Sequence, residues 1–115
     1  MNLTDYRAYC LSMPGTTEDF PFDQEVLVFK VGGKIFALTD VNTFEFVNLK
    51  CDRERAIDLR ERHAGITPGY HMSKKHWNSI ALYSDVPDAM LLSLSDESYT
   101  LVLSSLPRKV REGII

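Results

Sequence analysis

The densest run of chemically capable side chains lies between Tyr70 and Asn78. It contains Tyr70, His71, Lys74, Lys75, His76, Trp77 and Asn78, in a stretch from Ile66 to Ser84 that carries no acid. The ammonium groups of Lys74 and Lys75 suit phosphate oxygens. The rings of Tyr70 and Trp77 suit stacking on unpaired bases, and the Asn78 amide suits a base edge. The chemistry these types offer together is nucleic-acid contact. Lys50 and two further lysines, Lys30 and Lys34, would extend the basic surface wherever they share its face. A plainer assignment competes with this one. Trp77 would anchor the core, His71 and His76 would bond to backbone carbonyls, and the lysines would simply be exposed, since Trp and His are often largely buried.

Other chemistries are less well served. His63, His71, His76 and Cys51 are potential zinc ligands, but His71 and His76 lie five positions apart, off the i,i+4 spacing of paired helical ligands, and no carboxylate is near them in sequence. No metal or other cofactor is expected. Cys51 precedes a helix, which can lower a thiol pKa, but no nucleophile signature surrounds it, and a small buried thiol is the expectation. Gly32-Gly33 leads into a strand rather than a helix, so no helix N-terminus would point at a phosphate there. Glu18, Asp19, Asp23 and Glu25 form an acidic cluster that could hold a cation or do acid–base work. Their loop is rich in Pro and Phe, which favours a solvated turn pinned to the core by Phe20 and Phe22. Tyr99 is expected to pack on the sheet with its hydroxyl bonded to a partner. No residue stands out as catalytic.

The elements that must position these groups follow from periodicity. Leu3, Tyr6, Tyr9, Cys10 and Met13 recur at helical spacing from a Thr4 cap to about Ser12, and Pro14-Gly15 ends the helix. A short extended piece from Thr16 to Phe20 follows. Val26 to Val31 is β-branched and aromatic. Gly32-Gly33 is a hairpin turn, and Lys34 to Thr39 returns antiparallel. Thr43 to Lys50 reads as the next strand, with Phe44 and Phe46 on one face and Val47 and Leu49 on the other. Asp52 caps a second helix that runs to near Ala64, where Gly65 is placed as a left-handed terminator. Its acids and bases balance, and Asp58 with Arg62 forms an i,i+4 pair on a solvated face. Short strands are expected over Ile66–Tyr70 and Asn78–Tyr83. Pro87 opens a third helix, which Ser95-Asp96 interrupts and recaps before Leu101 to Leu106 continue its apolar face. The resulting class is α+β: a two-layer domain with an antiparallel sheet and helices on one face.

The chain has 115 residues, 44% of them hydrophobic and 25% charged. Residues 1–115 therefore read as one domain, able to bury about two thirds of its unfolded surface without staples. Two separated cysteines, Cys10 and Cys51, fit a reduced intracellular protein. No apolar run approaches the roughly 20 residues that span a bilayer, and the N-terminus has no signal-peptide pattern. A cytoplasmic location with no membrane partner is expected. A net charge of −3 argues against strong nonspecific binding to nucleic acid. The charge is uneven, however. Acids dominate from Met1 to Glu25, while Arg108, Lys109 and Arg111 gather near the C-terminus against Glu112. Acidic and basic poles arise if the fold separates these segments.

The motifs, taken in order, resemble those of the MmcQ/YjbR family of bacterial proteins. Pro14-Gly15 with Glu18 and Pro21-Phe22 is similar to its early P-G-x-x-E-x-x-P-F signature. Lys30 to Phe36 resembles its hairpin, and Leu49 to Asp52 its strand-to-helix junction. Pro68-Gly69-Tyr70-His71 with Lys74, His76-Trp77 and Asn78 is similar to its P-G-Y-H-x-x-K-x-H-W-x block, and Ser98-Tyr99 with Leu101-Val102 to the pattern near its end. The resemblance implies a YjbR-like fold, related in shape to type III secretion chaperones and compared with the frataxin-like fold. It also implies a DNA-binding label that rests on structural analogy, and it carries no catalytic residues.

The leading functional expectation is accordingly nucleic-acid (DNA) binding through Lys74, Lys75, His76, Trp77, His71, Asn78, Tyr70 and Lys50, with the basic C-terminal tail assisting. The alternatives are a protein-interaction module of chaperone-like architecture and a small-anion binder or enzyme using the His71–Trp77 loop.

Overall fold

Gly32 and Gly33, at φ of +58° and +81°, turn the chain between β2 (Val26–Val31) and β3 (Lys34–Asp40). Both positions are left-handed, as a two-residue hairpin turn requires. In this computed structural model, which describes residues 1–69 and 72–115, the hairpin sits inside one six-stranded antiparallel sheet. The other strands are β1 (Thr16–Asp19), β4 (Phe46–Lys50), β5 (Ile66–Pro68) and β6 (Trp77–Ala81), in the order β1-β2-β3-β4-β6-β5. The helices are α1 (Leu3–Ser12), α2 (Arg53–Arg62), α3 (Asp88–Ser105) and α4 (Arg108–Ile114). Tyr70 and His71 lie outside the described residues.

Strand alternation splits the apolar residues between two faces. Leu27, Phe29, Val31, Val47, Leu49 and Ile80 meet Tyr6 and Cys10 of α1, Leu59 of α2, and Leu91, Leu94 and Val102 of α3 in the main core. The register shifts so that Phe29 faces Ala37 while Lys30 faces Ile35, leaving Phe36 as a bulge residue. Phe36 and Ala37 consequently both join the main core. On the opposite face Val26, Val28, Leu38 and Trp77 form a smaller cluster with Ile35 and Met72.

Several expectations need correction. The α1 cap is Asn2, whose Oδ1 accepts from Asp5 N at 2.8 Å, and not Thr4. β4 begins at Phe46 rather than Thr43. Asp40 Oδ1 accepts from Asn42 N and its carbonyl from Phe44 N, so residues 40–44 form a turn. Phe44, at φ +44°, swings into the core against the Tyr6 ring at 5.8 Å, while Phe46 faces out. α3 runs unbroken through Ser95-Asp96, because the Ser95 hydroxyl donates back to Leu91 O at 2.8 Å and so stays within the helix. α2 ends at Arg62, and Gly65 is no left-handed terminator. A Cβ at Gly65 would lie 2.2 Å from Ser84 Oγ, so glycine is needed there for close approach. Phe20 and Phe22 do not pin their loop; they are 47% and 60% exposed. The basic tail is helical, as α4. No helix among the described residues is long and apolar enough to cross a membrane.

Candidate nucleic-acid interface

The hydrogen-bond ladder sorts the charges. Thr16, Val31, Lys34, Lys50, Pro68 and Trp77 fall at one end of the sheet, and Asp19, Val26, Asp40, Phe46, Ile66 and Ala81 at the other. Lys74, Lys75 and His76 enter β6 from the first end, where they are exposed beside half-buried Lys50. α4 joins them. Leu106, just before it, packs over the hairpin tip at Gly32, and Ile114 at its end lies against Gly15, next to Thr16. Arg108, Lys109 and Arg111 therefore belong to the same end, Arg108 being paired with Glu112 at 2.8 Å. Asp52 and Glu54, at the start of α2, are further acids there. The opposite end carries Asp19, Asp23, Glu25, Asp40 and Glu45, and also Asp85 and Asp88, which bond Gly65 N and the N-terminal amine. The poles expected from the uneven charge are thus set by strand register.

The loop bearing the lysines is tied down by backbone bonds. Arg60 Nη2 donates to Lys74 O at 2.9 Å, Cys51 N to His76 O at 2.7 Å, and Gly69 N to Trp77 O at 2.8 Å. Lys50 N donates to Ser98 Oγ at 2.9 Å, which fixes the end of β4 against α3. The main chain is thereby held while the Lys74 and Lys75 side chains extend into solvent.

The remaining expected contacts are placed differently. Trp77 is 5% exposed, in the cluster with Val26, Val28 and Leu38, so its ring has no free face for stacking. Asn78 is 1% exposed and engaged at both ends of its amide: Oδ1 accepts from Arg60 Nε at 2.9 Å and Nδ2 donates to Ala56 O at 3.3 Å. It has no edge left for a base. The expectations for Tyr70 and His71 lie outside the described residues.

Sequence reasoning missed Arg60, which was absorbed into the balanced charged face of α2. The signal was available: Ala56, Leu59 and Arg60 share one helix face by i, i+3, i+4 spacing, and Ala56 and Leu59 are buried.

Burial pushes the Cys10 thiol up to about 12 and the Cys51 thiol up to about 11, so both are protonated and poorly nucleophilic at neutral pH. His63 lies 3.6 Å from Asp85 at the end of α2 opposite Cys51. Among the described residues no cluster of three or more His, Cys, Asp or Glu could hold a metal. In the acidic loop Asp23 Oδ1 accepts from Glu25 N and Val26 N, a turn-forming role. Tyr99 packs edge-on against Phe36 at 5.4 Å and donates to Pro14 O.

Comparison with known proteins agrees with this architecture. The YjbR family model matches residues 11–101. The protein YbdF of Escherichia coli O157:H7 is 37% identical over 90% of this chain and 86% of its own length. YjbR of Escherichia coli K12 is 29% identical over 100% and 98%. The crystal structure of Deinococcus radiodurans DR2400, a DUF419 domain, superposes with a TM-score of 0.92 at 39% identity, covering 98% of this chain and 87% of that one. A Pseudomonas syringae crystal structure gives 0.73 at 26% identity over 89% and 99%. The names of these relatives state no activity.

Proposed function

The chain belongs to the YjbR family, and on that premise we propose that it binds nucleic acid through phosphate contacts at the basic end of its sheet. One observation carries the reading: strand register and α4 gather Lys34, Lys50, Lys74, Lys75, Lys109 and Arg111 at one end, away from the acids of the other. Lys74 and Lys75 are the principal contacts. Each is an exposed ammonium on an anchored loop, so little main-chain ordering is needed on binding. His76 adds a hydrogen-bonding imidazole beside them.

Because Trp77 and Asn78 are committed to the fold, this interface reads the backbone and tolerates sequence changes. The acidic end repels the same polyanion and orients the domain on it. With a net charge of −3 the affinity is modest and falls steeply with salt. The test is fluorescence anisotropy with labelled duplexes of unrelated sequence. Similar affinities are expected for all of them, with weakening on truncation after Pro107. Strong preference for one sequence, or indifference to the truncation, would remove the backbone-reading account.

A second reading, a protein-interaction module, draws on the opposite end. There Phe22 is 60% exposed and Tyr83 84% exposed, among carboxylates. That surface suits a basic protein partner. A co-purifying protein insensitive to nuclease and lost on Phe22→Ser/Tyr83→Ser substitution would favour it.

A further inference from the structure

Both ends of the sheet carry charges left uncompensated among the described residues. At the basic end Lys34, Lys50, Lys74, Lys75, Lys109 and Arg111 make no ion pair there. At the opposite end Glu25, Asp40 and Glu45 make none either, and the Glu25 and Glu45 side chains are exposed. Two largely exposed aromatic rings, Phe22 and Tyr83, stand among these acids. Tyr83 is fixed in that position. Its φ of +55° is a left-handed value uncommon outside glycine, and its hydroxyl donates to Met1 O at 3.0 Å.

We infer that the acidic end of this chain docks the basic end of a second copy, head to tail. Charge complementarity identifies the occupant. One molecule carries both signs at opposite ends of one sheet, so each copy presents the complement of what the next one exposes. A two-fold dimer joining like ends would set carboxylates against carboxylates, or ammonium groups against ammonium groups. The head-to-tail contact avoids this. It is heterologous, leaves one free end of each sign, and extends into an open chain of copies. Phe22 and Tyr83 supply ring faces to the incoming ammonium groups and apolar area to the contact. Exposed ion pairs contribute little each and are screened by salt. The association is therefore weak, and it depends on both concentration and ionic strength. It goes beyond nucleic-acid binding and does not rest on it, although the two compete for Lys74 and Lys75.

The test is analytical ultracentrifugation of the full chain, nuclease-treated so that no polyanion bridges the copies. Salt is varied from about 0.01 to 1 M, where the screening length falls from about 30 to 3 Å. At low salt the average mass should climb with concentration past that of a dimer, and at high salt it should return to the monomer. Lys74→Glu/Lys75→Glu makes both ends acidic, and Glu25→Lys/Glu45→Lys makes both ends basic. Each variant, its folding checked by circular dichroism, should lose self-association alone, and an equimolar mixture of the two should regain it. Glu54→Lys/Glu61→Lys on α2 changes the net charge equally but spares the acidic end, so it should still associate by itself. Phe22→Ser/Tyr83→Ser should weaken association. A monomer at every concentration in low salt, a mass that stops at the dimer, or no recovery in the mixture would overturn the inference. So would loss of association in the α2 variant, or indifference to the loss of both rings.

Discussion

Arg60 on α2 and Asn78 on β6 are joined by a 2.9 Å hydrogen bond from the guanidinium Nε to the buried amide oxygen, and the same guanidinium holds the carbonyl of Lys74. One side chain thus satisfies the core amide and anchors the loop that displays the lysines. Arg60→Ala would leave Asn78 Oδ1 buried without its donor, at a cost of about 1–3 kcal/mol. The expected outcome is a lowered urea midpoint together with faster hydrogen exchange at His76. An unchanged midpoint would mean that the bond is not maintained in solution.

Tyr6 and Ser95 make an asymmetric pair. The two hydroxyls lie 2.7 Å apart in the core, but Ser95 Oγ also donates to Leu91 O. Tyr6→Phe removes one bond and leaves Ser95 served by its own helix, so a loss of about 1 kcal/mol is expected. Ser95→Ala removes the hydroxyl partner of a fully buried phenol and should be at least as costly. Denaturant titration of the two variants checks the order.

The two hairpin glycines should differ. A Cβ at Gly33 meets nothing within 4 Å, so Gly33→Asn, a residue that accepts left-handed φ, should be tolerated. At Gly32 a Cβ would lie 2.5 Å from Leu106 Cδ1. Gly32→Ala therefore adds displacement of Leu106 to a backbone penalty of about 1–2 kcal/mol. Thermal melts should show a clearly lower Tm for Gly32→Ala than for Gly33→Asn.

Alkaline pH should destabilise the fold. Burial raises Cys51 to about 11 and Cys10 to about 12, and the hydrogen bond to Asp96 raises Tyr9 to about 12, against ordinary values of 9.0 for thiols and 10.0 for phenols. The folded protein holds these protons more tightly than the unfolded chain does. Their contribution is therefore complete below the ordinary values and is lost as pH rises through the folded ones. Chemical denaturation between about pH 8 and 12 should show stability falling above about pH 9. A flat profile across that range would contradict the burial of Cys10.

Much of the fold was legible because each hairpin carried its own local code. Gly32-Gly33 between two β-branched runs fixes β2 and β3, and Pro14 and Pro87 bound the first and third helices. What misled was tertiary. Phe44 follows the alternation of a strand in sequence, yet the Asp40 turn and the Tyr6 ring draw it into the core. Ser95-Asp96 looks like a break, yet back-bonding to Leu91 keeps α3 intact. At the candidate site, the exposed cations could be read from composition and spacing. The burial of Trp77 matches the core-anchor assignment that competed with stacking, whereas the burial of Asn78 could not be read, because it depends on Arg60 arriving from another element. The gathering of Lys50 and Lys74 at one end depends on the pairing of β4 with β6, strands separated in the chain by α2 and β5 and joined by no hairpin turn.

The central claim is that the basic end of the sheet neutralises phosphates, and the salt dependence of binding tests it most directly. Affinity for one labelled duplex would be measured from about 50 to 200 mM salt for the unaltered chain and for Lys74→Ala/Lys75→Ala. A control variant, Glu45→Gln, removes an acid from the opposite end. The account predicts weaker binding for the double variant and a log–log slope shallower by about 0.9 for each lost phosphate contact, with the control binding at least as well as the unaltered chain. Undiminished binding and slope in the double variant, or no binding even at the lowest salt, would contradict it.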